Sequence, residues 1–148
     1  MTIQEVAKAM VADGKGILAM DESSGTIEKR FKELGVESTE DTRWSYRYAL
    51  VSTKGLGQFI SGAILFDETI RSKDKEGTPF TKLLENEGIL PGIKVDMGAK
   101  DFPDHPGEKN TIGLEGLKER LQEYKELGAK FAKWRAVITI GEGIPTDD

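Results

Sequence analysis

The chain holds 148 residues, 37% apolar and 32% charged, the balance of one soluble globular domain and not of a disordered or fibrous chain. It has no cysteine and one histidine, which excludes a disulfide scaffold, a thiol nucleophile and a cysteine-ligated metal. A net charge of -5 leaves no basic excess for nucleic acid, although a few converging cations would still hold a small anion.

In chain order, Ile3, Val6, Ala7, Met10 and Val11 recur at helical spacing, and Thr2 with Glu5 forms a capping-box pattern. Met1 to Asp13 carries acids and no cleavage signal, and no window approaches about 18 apolar residues; the expectation is a cytoplasmic protein without a membrane partner. Gly16 to Met20 reads as a short buried strand, followed by the polar run Asp21 to Gly25. A helix with Ile27, Phe31 and Leu34 on one face stops at Gly35. Ser38 and Asp41 are candidate caps for the next helix, whose face includes Trp44, Tyr48 and Val51. Phe59 to Phe66 is the clearest early strand, and charged, glycine-rich sequence follows to Gly77. Thr78 and Pro79 suit N-cap and first helical position ahead of Phe80, Leu83 and Leu84. Gly92 to Asp96 reads as a strand, and the "FPDHPGEKN" segment as a loop. Leu114, Leu117, Leu121, Tyr124 and Leu127 trace a long amphipathic helix closed by Gly128, and Lys130 to Ile140 forms the last strand.

Four strands separated by helical crossovers, without a compelling two-residue hairpin, predict an α/β fold with a parallel sheet. Such strands are normally almost continuously apolar. Here Lys133 and Arg135 share one side of the last strand, and Lys94 sits between Ile93 and Val95 with Asp96 on its own face. Unpaired burial of these charges is too costly, so they need counter-ions, an exposed edge or a wet pocket for an anionic substrate. Asp21, at the end of the first strand, suits either a substrate contact or a helix cap. Ser23, Ser24 and Thr26 beside Gly25 suit an anion at a helix start, or simply a helix start; Arg30, one turn on, suits a phosphate partner or a solvated charge. Arg43, Arg47 and Arg71 read as surface or packing charges. His105, with Asp101, Asp104 and Glu108, reads as a solvated loop before a site for a hard cation. No phosphate-loop, dinucleotide or nucleophile-elbow motif occurs.

The segments "GKGILAMDESSGTIEKR", "GAILFDETI", "GIKVDMGA", "GLEGLKERLQEYKELGAKFAKWR" and "ITIGEGIPT" resemble, in order and across nearly the whole chain, the N-terminal half of class I fructose-bisphosphate aldolase, the Schiff-base type. The resemblance implies the first half of a (β/α)₈ TIM barrel, with residues 1–148 incomplete without a complementary C-terminal half. It implies reversible cleavage of fructose 1,6-bisphosphate to dihydroxyacetone phosphate and glyceraldehyde 3-phosphate, without a metal or other cofactor, through an iminium that serves as electron sink. Asp21 resembles the carboxylate that meets the substrate hydroxyls and assists proton movements, and Lys133 the lysine near the substrate carbonyl. Lys94 and Arg135 resemble contacts to substrate and phosphate, and Ser23, Thr26 and Arg30 further members of the phosphate-binding rim. The Schiff-base lysine belongs to the sixth strand of the family and an essential glutamate to the fifth, so both are expected outside this chain, which alone is expected to be inactive. The implied partners are a phosphorylated sugar, a complementary half-barrel chain and copies of the assembled enzyme in a homo-oligomer. Another sugar-phosphate lyase or isomerase on a TIM barrel, or a non-catalytic sugar-phosphate-binding half-barrel, remains the alternative.

Overall fold

A computed structural model describes residues 1–147. Helix α1 (Ile3–Met10) carries the expected capping box, with the Glu5 amide donating to the Thr2 hydroxyl and the Thr2 amide to the Glu5 carboxylate. Strand β1 (Gly16–Met20) leads to α2 (Ser24–Glu33), then α3 (Glu40–Val51) and a 3₁₀ turn at Leu56–Gln58. Strand β2 (Ile60–Leu65), the short helix α4 (Asp67–Ile70), α5 (Phe80–Asn86) and β3 (Leu90–Lys94) follow. A two-stranded ribbon, β4 (Ala99–Asp101) and β5 (Lys109–Thr111), precedes α6 (Leu117–Glu126) and β6 (Phe131–Lys133). Strands β1, β2, β3 and β6 pair in that order, all parallel, which is the predicted crossover topology.

Strand parity divides the sheet into two faces. Met20, Ala63, Leu65, Ile93 and Val95 face the helices, where they form the core with Val51, Ile70, Phe80, Leu84, Ile89 and Tyr124. The opposite face carries Gly62, Gly92, Lys94, Phe131 and Lys133 in neighbouring strands. The Phe131 ring lies where Cβ atoms on Gly92 and Gly62 would stand, 2.3 and 3.2 Å from those positions, so glycine there is what admits the ring. The 3₁₀ turn is pressed still closer, because a Cβ on Gly57 would stand 1.7 Å from the Glu87 carbonyl oxygen. Gly57→Ala is therefore expected to cost about 1–3 kcal/mol through backbone displacement, read from urea unfolding.

Several boundaries differ from the sequence expectation for local reasons. Thr39, not Ser38 or Asp41, caps α3, because its hydroxyl accepts from the Thr42 amide while Thr42 answers with its own hydroxyl. Pro79 occupies the N-cap of α5 instead of its first turn, since the Thr78 carbonyl accepts from the Asp74 amide and the first helix bonds, from the Lys82 and Leu83 amides, go to the Pro79 carbonyl. The last strand is three residues long, not eleven: β3 ends at Lys94, opposite Lys133, and leaves nothing further to pair with. The segment expected to be a loop contributes Lys109 and Asn110 to the ribbon, whose largely exposed residues lack the apolar alternation that marks a strand. Within its connection, His105 is not solvated as expected; it stacks on Phe102 at 4.3 Å, with Nδ1 3.1 Å from the Thr146 hydroxyl. No helix among the described residues is long and apolar enough to cross a membrane.

Candidate functional site

Asp21 continues the concave parity of β1, Lys94 and Asp96 that of β3, and Lys133 and Arg135 that of β6, all at the C-terminal end of the parallel strands. A cleft of ≈ 710 Å³ opens there, and all seven predicted residues (Asp21, Ser23, Thr26, Arg30, Lys94, Lys133 and Arg135) border it. Arg120 adds a fifth cation, against the carboxylates of Asp21, Glu22, Asp67 and Asp96. The cleft thus carries a small positive excess in a chain of net charge -5, the local field an anionic ligand requires.

The Lys133 ammonium donates to the Asp21 carboxylate at 2.7 Å. These residues end the two outermost strands, which in a flat sheet would stand about 14 Å apart. Side chains rise roughly perpendicular to a sheet, so the contact requires the sheet to curl toward a barrel interior. Both groups are only partly exposed, and a ligand entering the cleft meets an acid and an amine side by side.

Lys94 is held by Asp96, whose Oδ1 lies 2.5 Å and whose carbonyl lies 2.7 Å from Nζ. The other Asp96 oxygen accepts from the Arg135 amide at 3.1 Å, so one carboxylate fixes both β3 and β6 at the cleft floor. Burial opposes ionisation of Asp96, but the bonds from Lys94 and the Arg135 and Gly98 amides outweigh it and hold its pKa below the ordinary aspartate value. A depressed carboxyl contributes stability above its unfolded pKa, about 3.9, that is lost as pH falls through the folded value. The urea midpoint should therefore drop as pH falls below about 5, and by less in Asp96→Asn. An identical drop in the variant would remove Asp96 from the acid response.

At the rim, Ser23 stands at the N-cap of α2 but its hydroxyl makes no cap bond; it lies 3.1 Å from the Thr26 hydroxyl, and the Thr26 and Ile27 amides donate to the Ser23 carbonyl. Arg30 extends from α2 and donates to Glu22, so it is neither free nor simply solvated. The second Glu22 oxygen accepts from Arg47 Nη2 at 3.0 Å. Arg47, on α3, is a packing charge only 3% exposed, whereas Arg43 pairs with Glu68 and Arg71 with Asp67 and Glu123 nearer the surface. Tyr46 completes the group, its hydroxyl 3.4 Å from Glu22; burial first, then the Glu22 charge, raises its pKa.

Helix α6 forms a further wall. Arg120 ties it to the end of β3 by donating to the Val95 carbonyl at 2.9 Å, and Tyr124 donates to Asp67 at 2.9 Å. Glu22, Asp67, Arg120 and Tyr124 also border the cleft, and no motif in the sequence marks them for it. Arg120 left a signal, since it interrupts the apolar stripe of Leu117, Leu121 and Tyr124; Glu22 left none beyond its place beside Asp21. Among the described residues, no three His, Cys, Asp or Glu side chains gather into a group that could hold a metal ion.

Comparison with known proteins gives these positions a context. The sequence model of the glycolytic family "Fructose-bisphosphate aldolase class-I" matches residues 2–148. The "Probable fructose-bisphosphate aldolase class 1" of Xanthomonas campestris pv. campestris is 59% identical over 144 residues, 97% of this chain and 43% of that protein. Fructose-bisphosphate aldolase 1 of Toxoplasma gondii is 56% identical over 147 residues, 98% of this chain and 40% of its own length. Among solved structures, fructose-bisphosphate aldolase from Plasmodium falciparum, crystallised with TRAP and a small-molecule inhibitor, superposes with a TM-score of 0.92 at 53% identity, covering 97% of this chain and 42% of the other. The chain therefore spans less than half the length of these relatives.

Proposed function

Because this chain belongs to the class-I fructose-bisphosphate aldolase family, we propose that it supplies the N-terminal half of an aldolase barrel and acts once a complementary C-terminal half completes it. The reaction is reversible cleavage of fructose 1,6-bisphosphate to dihydroxyacetone phosphate and glyceraldehyde 3-phosphate. In this reading the Schiff-base lysine and the essential glutamate come from the complementary half. The iminium that this lysine forms with the substrate ketone, with loss of water, takes up the electron pair of the breaking carbon–carbon bond. Lys133 orients the substrate carbonyl and aids carbinolamine breakdown, and Asp21 meets the hydroxyls and assists proton movement. Lys94 and Arg135 hold phosphate from the cleft floor, with Ser23, Thr26 and Arg30 at its rim. We assign the protein to the cytoplasm, in keeping with the glycolytic family, and the assembled enzyme to a homo-oligomer.

The observation that carries the reading is the contact of Asp21 with Lys133 at 2.7 Å in a cleft that Lys94 and Arg135 also line. An acid and an amine in contact, flanked by cations, match a reaction that moves protons on a phosphorylated sugar. The test mixes the chain with the C-terminal part of a family member, adds fructose 1,6-bisphosphate and borohydride, and measures intact masses. A reduced substrate adduct on the added part, none on this chain, and cleavage only in the mixture are expected. An adduct on this chain would reassign the nucleophile, and neither adduct nor cleavage in the mixture would overturn the reading.

A further inference from the structure

The Glu22 carboxylate is shared by two guanidinium groups of very different surroundings. Arg30 reaches it from the rim with its side chain 60% exposed, whereas Glu22 and Arg47 are 6% and 3% exposed. Arg47 donates to the Glu22 carboxylate and to the Glu22 carbonyl, each at 3.0 Å, and through Nη1 to the Thr69 hydroxyl at 2.9 Å. It thereby ties the turn after β1, next to Asp21, to α4 after β2. Two cations on one carboxylate leave the group with one positive charge, and the exposed member, Arg30, presents it to the cleft. Without Arg47, the same carboxylate would neutralise Arg30 alone.

We propose that Arg47 is a positioning residue that sets the charge of the phosphate rim: by sharing Glu22, it leaves Arg30 the unneutralised charge that a substrate phosphate engages. The inference rests on the reading of Arg30 as a phosphate contact. Arg47 itself touches no ligand; it acts through Glu22. Packed apolar substitutes often replace a buried ion pair at little cost, whereas removal of one partner strands the other. Charge and fold can therefore be separated by altering both residues together.

The test titrates the 148-residue chain with inorganic phosphate at fixed ionic strength and follows the amide signals of Ser23, Thr26 and Arg30 by NMR, with thermal melting as the control for folding. Arg30→Ala should abolish the response in the unaltered background. Arg47→Met should weaken phosphate affinity by about fivefold or more, and Glu22→Gln combined with Arg47→Met should restore it to within about twofold, because the pair of changes removes one anion with one cation and leaves Arg30 its charge. A merely structural Arg47 would lower the melting temperature and leave affinity alone. If Arg47→Met does not fold, the double variant decides: affinity near that of the unaltered chain supports the proposal, and a loss of fivefold or more overturns it. Arg30-dependent binding that Arg47→Met leaves unchanged overturns this inference alone, whereas absence of Arg30-dependent binding in the unaltered chain overturns the rim reading and the inference with it.

Discussion

Lys133→Met in the completed barrel is expected to lower kcat for fructose 1,6-bisphosphate cleavage about a thousandfold, the scale on which a positioned acid–base group contributes. Methionine matches the lysine side chain as far as Cε and lacks its ammonium, so most of the packing is kept while Asp21 loses the donor 2.7 Å away. KM should change by less than about tenfold, because Lys94 and Arg135 still line the cleft and the role proposed for Lys133 lies at the reacting centre. Steady-state cleavage kinetics on the reconstituted barrel provide the measurement. A fall confined to KM would make Lys133 a binding residue, and a kcat within about tenfold of the unaltered value would falsify its place in the chemistry.

The largest effect on stability is expected at Phe80. This side chain is fully buried at the start of α5, 6.0 Å from the Tyr48 ring and 6.2 Å from Trp44, and Trp44 stacks on Tyr48 at 4.8 Å. It joins α3, α5 and the core beneath the sheet, where collapse around a truncated residue would have to move three elements. Phe80→Ala should therefore cost about 3–5 kcal/mol, a large part of the roughly 5–15 kcal/mol that holds a domain together. Urea unfolding followed by circular dichroism would show the loss. Phe80→Leu, which leaves a smaller void, should cost less, and equal losses in the two variants would point to the ring contacts over the volume.

Much of this arrangement is legible in the residues because two strong periodicities carry it. Apolar runs separated by amphipathic helices specify β1, β2, β3 and the crossovers, and the unexpected charges at Lys94, Lys133 and Arg135 mark the end of the sheet where the cleft opens. Less legible features depend on partners distant in sequence. The capping role of Thr39 turns on how Thr42 answers it, the length of β6 on where β3 ends, and the ribbon on a ladder that buries nothing. Glu22 and Arg47 are the clearest case: neither stands in a pattern, and their importance appears only when α3 lays one guanidinium across the turns after β1 and β2.

The chain distance behind the central contact bears on how the molecule comes together. Asp21 and Lys133 lie 112 residues apart, with two strands of the sheet intervening between the elements that carry them. Closing so long a segment for one contact is entropically poor, so the pair is an unfavourable nucleus and is expected to form after the strands between them are in register. The contact between Asp21 and Lys133 is thus expected to complete late in folding: with only β1, β2 and β3 in place, Lys94 already has Asp96 beside it while Asp21 still lacks the Lys133 ammonium.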